Sequence, residues 1–214
     1  MKITILFDNS PPKTEGLKAG WGFAALIEAP PDHRILFDTG CDGDILLHNM
    51  QQLGVDPKSI NDVFISHMHS DHTGGLSAFL KQNKAVKLWL PSDRLKYSPA
   101  KDTAIVSKPT QLYEGIYSTG ILENIEQSMA VETSKGLVLI VGCSHPKMEN
   151  ILNTAAQFGD LFGIVGGLHS TQPKSLEGLS LICATHCTQR KSEIKHLYPE
   201  ATIEGGAGSV IEVI

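Results

Sequence analysis

Apolar residues along this chain fall into two rhythms. Short runs of Ile, Leu, Val and Phe read as strands, and between them lie stretches whose apolar spacing fits a helix. KITILF near the start, FAALIE and RILFD are strand runs. HRILFDTGCDGD then leaves its strand through a Gly/Asp loop. Residues 44–53, DILLHNMQQL, predict a helix with Asp42 or Asp44 capping its start and Gly54 at its end. DVFIS is a short buried-type strand, and GGLSAFLKQNK follows as a helix.

The middle, residues 84–135, is strand-like and less regular. VKLWL, QLYEGIYST and MAVET are broken into pieces by Pro91, Pro99 and Pro109. GLVLIVGC is then a strong strand. SHPKMENILNTAAQFG predicts a helix with Pro146 in its first turn and Gly159 at its end. LFGIVGG and LSLICAT are further strands, TQRKSEIKHLYPE is an amphipathic helix, and ATIEGGAGSVIEVI ends the chain as strands. No internal repeat or low-complexity linker interrupts this order. Strands in both halves with helices between them predict sheets covered by helices, a layered α/β architecture.

Length and composition narrow the picture. The 214 residues suit a single domain spanning 1–214, and a hydrophobic content of 41% is enough to build a core. The net charge of −5 gives no sign of a basic face, so no nucleic-acid partner is expected. The N-terminal apolar run breaks at Asp8, too early for a signal-peptide core, and no later run is long enough to span a membrane. The expected location is cytoplasmic, with Cys41, Cys143, Cys183 and Cys187 as reduced thiols.

The chemistry concentrates in ISHMHSDHTGG, residues 65–75. This stretch places His67, His69, Asp71 and His72 within six positions, straight after an apolar strand. In extended backbone, residues i and i+2 point the same way, so His67 and His69 can converge on one ion. Asp71 repeats the spacing. Imidazole suits zinc and other borderline transition metals, and an added carboxylate biases a site toward catalysis over a closed structural cage. The loop offers more ligands than one tetrahedral ion takes, which predicts two adjacent ions.

The pattern HxHxDH, matched at His67, His69, Asp71 and His72, resembles the signature of the metallo-β-lactamase superfamily. The resemblance runs through nearly the whole chain. FDNS, ILFDTG, ISHMHSDHTGGL, VGCSHPKMENIL, VGGLHS and THCT, in that order, resemble the dihydropterin–ribofuranosyl-aminobenzene-phosphate synthase-like branch. THCTQRK departs from it where a Gly would follow the Thr. The resemblance implies a four-layer αββα sandwich with the active site between loops at one edge. It implies His67, His69 and His145 as ligands of one ion, and Asp71, His72 and His186 as ligands of a second. Asp38, at the end of RILFD, would support the metal loop from behind. Cys143 stands where many superfamily hydrolases carry a bridging aspartate. It reads either as a thiolate ligand or as a small residue filling a tight strand end.

The reaction this implies is hydrolysis of a small ester or phosphoester by hydroxide activated between two divalent metal ions. Zinc is the first choice, with manganese or iron as alternatives. Asp71 would orient the hydroxide as well as ligate, and His169 would protonate a leaving group or hold the small-molecule substrate. The competing readings are a pterin-pathway condensation on the same fold and a non-catalytic metal-binding or redox module. His69 speaks against the redox module, because the superfamily's diiron proteins carry Glu at that position. His33, His48 and His196 read as structural, and Cys183 as core. Arg94, Lys96, Lys108, Arg190 and Lys191 read as a solvated face rather than a phosphate site.

Overall fold

In a computed structural model describing residues 1–30, 32–92 and 100–214, the apolar runs become the strands of two sheets. β1 (Lys2–Phe7), β2 (Ala24–Ala29) and β3 (His33–Phe37) form an antiparallel meander. α1 (Gly43–Gln52) carries the chain back, so β4 (Asp62–Phe64) pairs parallel to β3. A one-turn helix, α2 (Ser70–Thr73), and α3 (Leu76–Gln82) do the same for β5 (Lys87–Leu90), and β6 (Asp102–Ile105) pairs parallel to β5. β7 (Thr110–Tyr113), β8 (Ile116–Ser118), β9 (Met129–Thr133) and β10 (Gly136–Val141) are antiparallel neighbours. α4 (Met148–Ala155) leads to β11 (Leu161–Gly167), and β12 (Leu181–Thr185) follows, both parallel to β10. α5 (Lys191–Leu197) precedes β13 (Val210–Glu212), which returns to pair with β1. Among the described residues the sheet orders are β13-β1-β2-β3-β4-β5-β6 and β12-β11-β10-β9-β8-β7.

Side-chain alternation along the strands sets the layers. Ile3, Ile5, Ile27, Phe37 and Phe64 of the first sheet pack against Val131, Val138, Ile140 and Val165 of the second. The outer face of the first sheet takes Leu46 and Met50 of α1 and Phe79 of α3. The outer face of the second takes Ile151 of α4 and Ile194 of α5. This is the αββα sandwich. Strands buried on both faces read as continuous apolar runs, which is why KITILF and GLVLIV stand out in the sequence. Among the described residues, no helix is long and apolar enough to cross a membrane.

β2 is antiparallel to both its neighbours, so β1, β3, β4 and β5 share one direction. β10, β11 and β12 also run together. Loops leaving the carboxyl ends of these strands meet at one edge of the sandwich, the usual place for chemistry in layered α/β folds.

Several sequence expectations shift. Asp42, not Asp44, caps α1, its side chain accepting from the Asp44 and Ile45 amides. The helix expected from Gly74 begins at Leu76. A side chain at Gly74 or Gly75 would overlap the carbonyl of Cys41 or Thr39. The helix expected across 144–159 begins at Met148, because a buried carboxylate has taken the preceding amides. QLYEGIYST is a hairpin turning at Gly115, not one continuous strand. The tail holds one strand, β13, because Gly206 and Gly208 take positive φ and turn the chain before it. β6 was not anticipated: its residues are largely exposed and form no apolar run. Arg94, Lys96 and Pro99 lie outside the described residues.

Away from the loop edge, at the amino end of β4, buried Asp62 ties the two sheets together. It accepts from Trp89 Nε1 at 2.8 Å and from the Tyr113 hydroxyl at 2.9 Å, and it pairs with His33. Asp62→Ala strips these partners of their acceptor. The expected loss is about 2–4 kcal/mol of stability, read from the denaturant midpoint, with metal uptake unchanged.

Candidate metal centre

Three buried carboxylates shape the loop edge. Asp38, just past β3, has φ 55° and no exposed surface. That left-handed backbone aims its carboxylate under the following loop. There it accepts from the Ser66 amide and the Ser66 hydroxyl, both at 2.7 Å, and pairs with His72 Nδ1 at 2.7 Å. Burial alone would depress the His72 imidazole, but the Asp38 carboxylate outweighs it and raises the pKa. The Ser66 hydroxyl gives its proton to Asp38, so it accepts from His67 Nδ1 at 2.9 Å. His67 Nε2 is thereby left as a bare lone pair.

Asp8, just past β1, accepts from the Ser10 amide at 2.6 Å and the His186 amide at 2.9 Å. Asn9 Oδ1 lies 2.8 Å from His186 Nδ1. Together they turn His186 Nε2 inward. Glu126, between β8 and β9, serves the third loop. Its Oε1 accepts from the amides of Gly142 at 3.0 Å, Cys143 at 2.9 Å and Ser144 at 3.1 Å, and its Oε2 from that of His145 at 2.9 Å. Burial raises the Glu126 pKa against the opposing pull of these amides. Wrapping the loop around one carboxylate forces Ser144 to φ 58°. It also requires Gly142, since a Cβ there would overlap the Ser66 hydroxyl.

The loops bring donor atoms together. His67, His69 and His145 form one group, and Asp71, His72 and His186 another, with the atoms of each group within 4.8 Å of one another. Cys143 joins His67 and His72 in a third group and joins His186 and Cys187 in a fourth. His67 Nε2 lies 3.1 Å from His69 Nδ1, and His186 Nε2 lies 3.3 Å from Asp71 Oδ2. Nitrogen or oxygen ligands of one tetrahedral ion sit about 3.3 Å apart, given bonds of about 2.0–2.1 Å. Nε2 of His145 is buried and finds no hydrogen-bond partner among the described residues, and Nε2 of His186 is buried with Asp71 as its near neighbour. Burial and neighbouring imidazoles hold both rings down to about 4 and push His67 well down too. At neutral pH these three rings are uncharged and their lone pairs are free, so the donor set fits divalent cations.

All six residues that the sequence resemblance implies as ligands therefore lie together at one edge. His169, at the end of β11, has φ 40°, and its ring lies 5.2 Å from that of His145. Its Nδ1 is also buried without a partner among the described residues. His33 pairs with Asp62, His48 Nε2 lies 2.8 Å from the Gly16 carbonyl, and His196 is exposed on α5. Cys183 sits in the core between the sheets, where burial pushes its thiol up to about 12. Arg190 pairs with Glu193 on the surface, and Lys191 donates to the Ser10 hydroxyl at 3.1 Å. At the rim Trp21, 59% exposed, meets the His186 ring edge-on with centroids 5.1 Å apart. Sequence reasoning missed Glu126, Ser66, Asn9 and Trp21 as contributors. FDNS was visible as a motif, but ILENIEQS carries no pattern that marks Glu126.

A model of the metallo-β-lactamase superfamily matches residues 20–103. The chain is 27% identical to the 7,8-dihydropterin-6-methyl-4-(β-D-ribofuranosyl)-aminobenzene-5'-phosphate synthase of Methanocaldococcus jannaschii, over 80% of this chain and 82% of that protein. It superposes on the crystal structure of Tm1679, a metal-dependent hydrolase of the β-lactamase superfamily, with a TM-score of 0.81 and 26% identity, covering 100% of this chain and 99% of that one. It also superposes on a diphosphatase of the PhnP family with a TM-score of 0.66 and 13% identity, covering 100% and 98% of the two chains, a likeness of fold alone.

Two substitutions probe the supports. Ser66→Ala cuts the link from Asp38 to His67 and should weaken zinc binding about 10–100-fold in a calorimetric titration. Glu126→Gln presents an amide donor to a loop of donors. It should cost about 2–3 kcal/mol of stability and lower the metal content found by elemental analysis.

Proposed function

We propose that the chain is a metal-dependent hydrolase of the metallo-β-lactamase superfamily acting on a small ester or phosphoester, a reading supported by the family-model match over residues 20–103 and the likeness to Tm1679. The observation that carries this reading is the pair of inward-facing donor groups, His67–His69–His145 and Asp71–His72–His186, side by side at one sheet edge. We assign them to two divalent cations, with zinc first and manganese or iron as alternatives. Bound there, such ions would lower the pKa of water toward about 7 and would polarise the substrate oxygen under attack.

The chain's own residues supply the rest. Asp71 is the carboxylate of the donor groups and is only partly buried. It accepts a hydrogen bond from the attacking water and so aims the oxygen lone pair. His169, next to His145 with an unmatched ring nitrogen, gives the proton to the departing group. Trp21 offers a flat apolar face at the rim, suited to an aromatic or conjugated part of the substrate.

A second reading, pterin-pathway condensation, draws on the synthase of M. jannaschii and on Trp21, whose indole could stack on a bicyclic ring. One set of measurements separates the two. Elemental analysis of the purified protein should give about two metal ions per chain. Turnover of a panel of phosphodiesters, esters and lactones should vanish on chelation, return with zinc, manganese or iron, and fall at least about 100-fold in Asp71→Ala. An inert panel, with a conjugate formed from a dihydropterin diphosphate and the ribosylated aminobenzene phosphate, would decide for condensation. A protein that binds no metal would end both readings.

A further inference from the structure

The two donor groups need an anion between them. Adjacent divalent cations repel, and a shared negative ligand relieves that repulsion. Three of the nearby carboxylates are already committed. Asp8 and Glu126 accept backbone amides, and Asp38 accepts the Ser66 amide and hydroxyl and pairs with His72. Asp71 is grouped with His72 and His186 but not with His67.

Cys143 has the reach that Asp71 lacks. Its sulfur lies within 4.8 Å of donor atoms on His67, from the first group, and on His72 and His186, from the second. It stands 3.2 Å from His72 Nε2. A nitrogen and a sulfur on one tetrahedral ion sit about 3.5 Å apart, given bonds of about 2.05 and 2.3 Å. The residue is 3% exposed, and its own amide is held by Glu126. His186, one of its partners, is buried, with its Nε2 3.3 Å from Asp71 Oδ2. Cys187 is the alternative thiol. It is grouped with Cys143 and His186 only, and its Sγ meets the Cys143 thiol as well as the Cys143 carbonyl at 3.8 Å.

We propose that Cys143 is a thiolate ligand standing between the two cation positions, taking with sulfur the place of a bridging oxygen. The proposal rests on the metal-binding reading above and extends it to the identity of the shared ligand. On metal uptake the S–H bond breaks, its electron pair stays on sulfur as the donor pair, and the proton leaves to solvent. A soft sulfur at the centre favours zinc, cobalt(II) and cadmium over manganese and magnesium.

Cobalt(II) reports this directly. Metal-free wild-type protein titrated with cobalt(II) should develop a sulfur-to-cobalt charge-transfer band in the near ultraviolet. Cys187→Ser should keep the band. Cys143→Ser should lose it while still binding cobalt, with the second equivalent held at least about 10-fold more weakly. Should Cys143→Ser fail to fold, X-ray absorption of the zinc-loaded wild type still tests the idea and should show a sulfur scatterer at about 2.3 Å. Two bound cobalt ions without the band, a band that survives Cys143→Ser, or a zinc shell without sulfur would overturn this proposal and leave the hydrolase reading standing. Failure to bind any metal would overturn both.

Discussion

Asp8, Asp38 and Glu126 each leave water to bind the backbone of a loop that carries imidazoles. Taking a carboxylate out of water costs several kcal/mol. Charge-assisted bonds to backbone amides offset that cost at about 1.5–3 kcal/mol each. Glu126 makes four such bonds, so the loop from Gly142 to His145 cannot drift without stranding a buried charge. The three imidazole-bearing loops are thus held in place by the polypeptide itself. The donors at this edge are already aimed, so a ligand taken there would lose little binding energy in ordering them.

Those supports keep the imidazoles crowded. The His67 ring lies 4.1 Å from that of His72, 4.6 Å from that of His69 and 4.8 Å from that of His145. Burial, and then the repulsion that protonating one ring would set up against the others, hold His145 and His186 neutral well below physiological pH. His72 escapes because Asp38 lies against its far nitrogen. Asp38, Ser144, His169 and His186 all take positive φ at or beside this edge. Backbone strain at non-glycine residues concentrates where surrounding contacts over-determine it, and here the carboxylate–amide bonds supply that constraint.

How much of this could be read from the sequence follows the same physics. Strands buried on both faces announce themselves, and so does a ligand loop whose residues are neighbours in sequence, as His67 to His72 are. β6 stayed hidden because it is a largely exposed edge strand with no apolar run. Glu126 stayed hidden because its partners are main-chain amides, which leave no mark on residue identity. That one residue also explains the misplaced start of α4: Pro146 suggested a first turn, but the amides before it were already bound. The expectation that His145 and His186 are ligands came from family likeness. Nothing in their local sequence says which far segment each will face. Cys143 stayed ambiguous because a thiol's meaning depends on what converges around it.

The bond between Asp8 and His186 spans 178 residues, and β1 takes its outer partner from β13 at the far end of the chain. During synthesis the first meander emerges long before either partner exists. The rim of β1 therefore waits uncovered until β13 is made, and contacts of such long range make for slow folding. The His67–His69 half of the hollow emerges early, whereas the His186 half comes last. Any cation that lodges at the early half meets a nascent chain still lacking the arm that completes its cage.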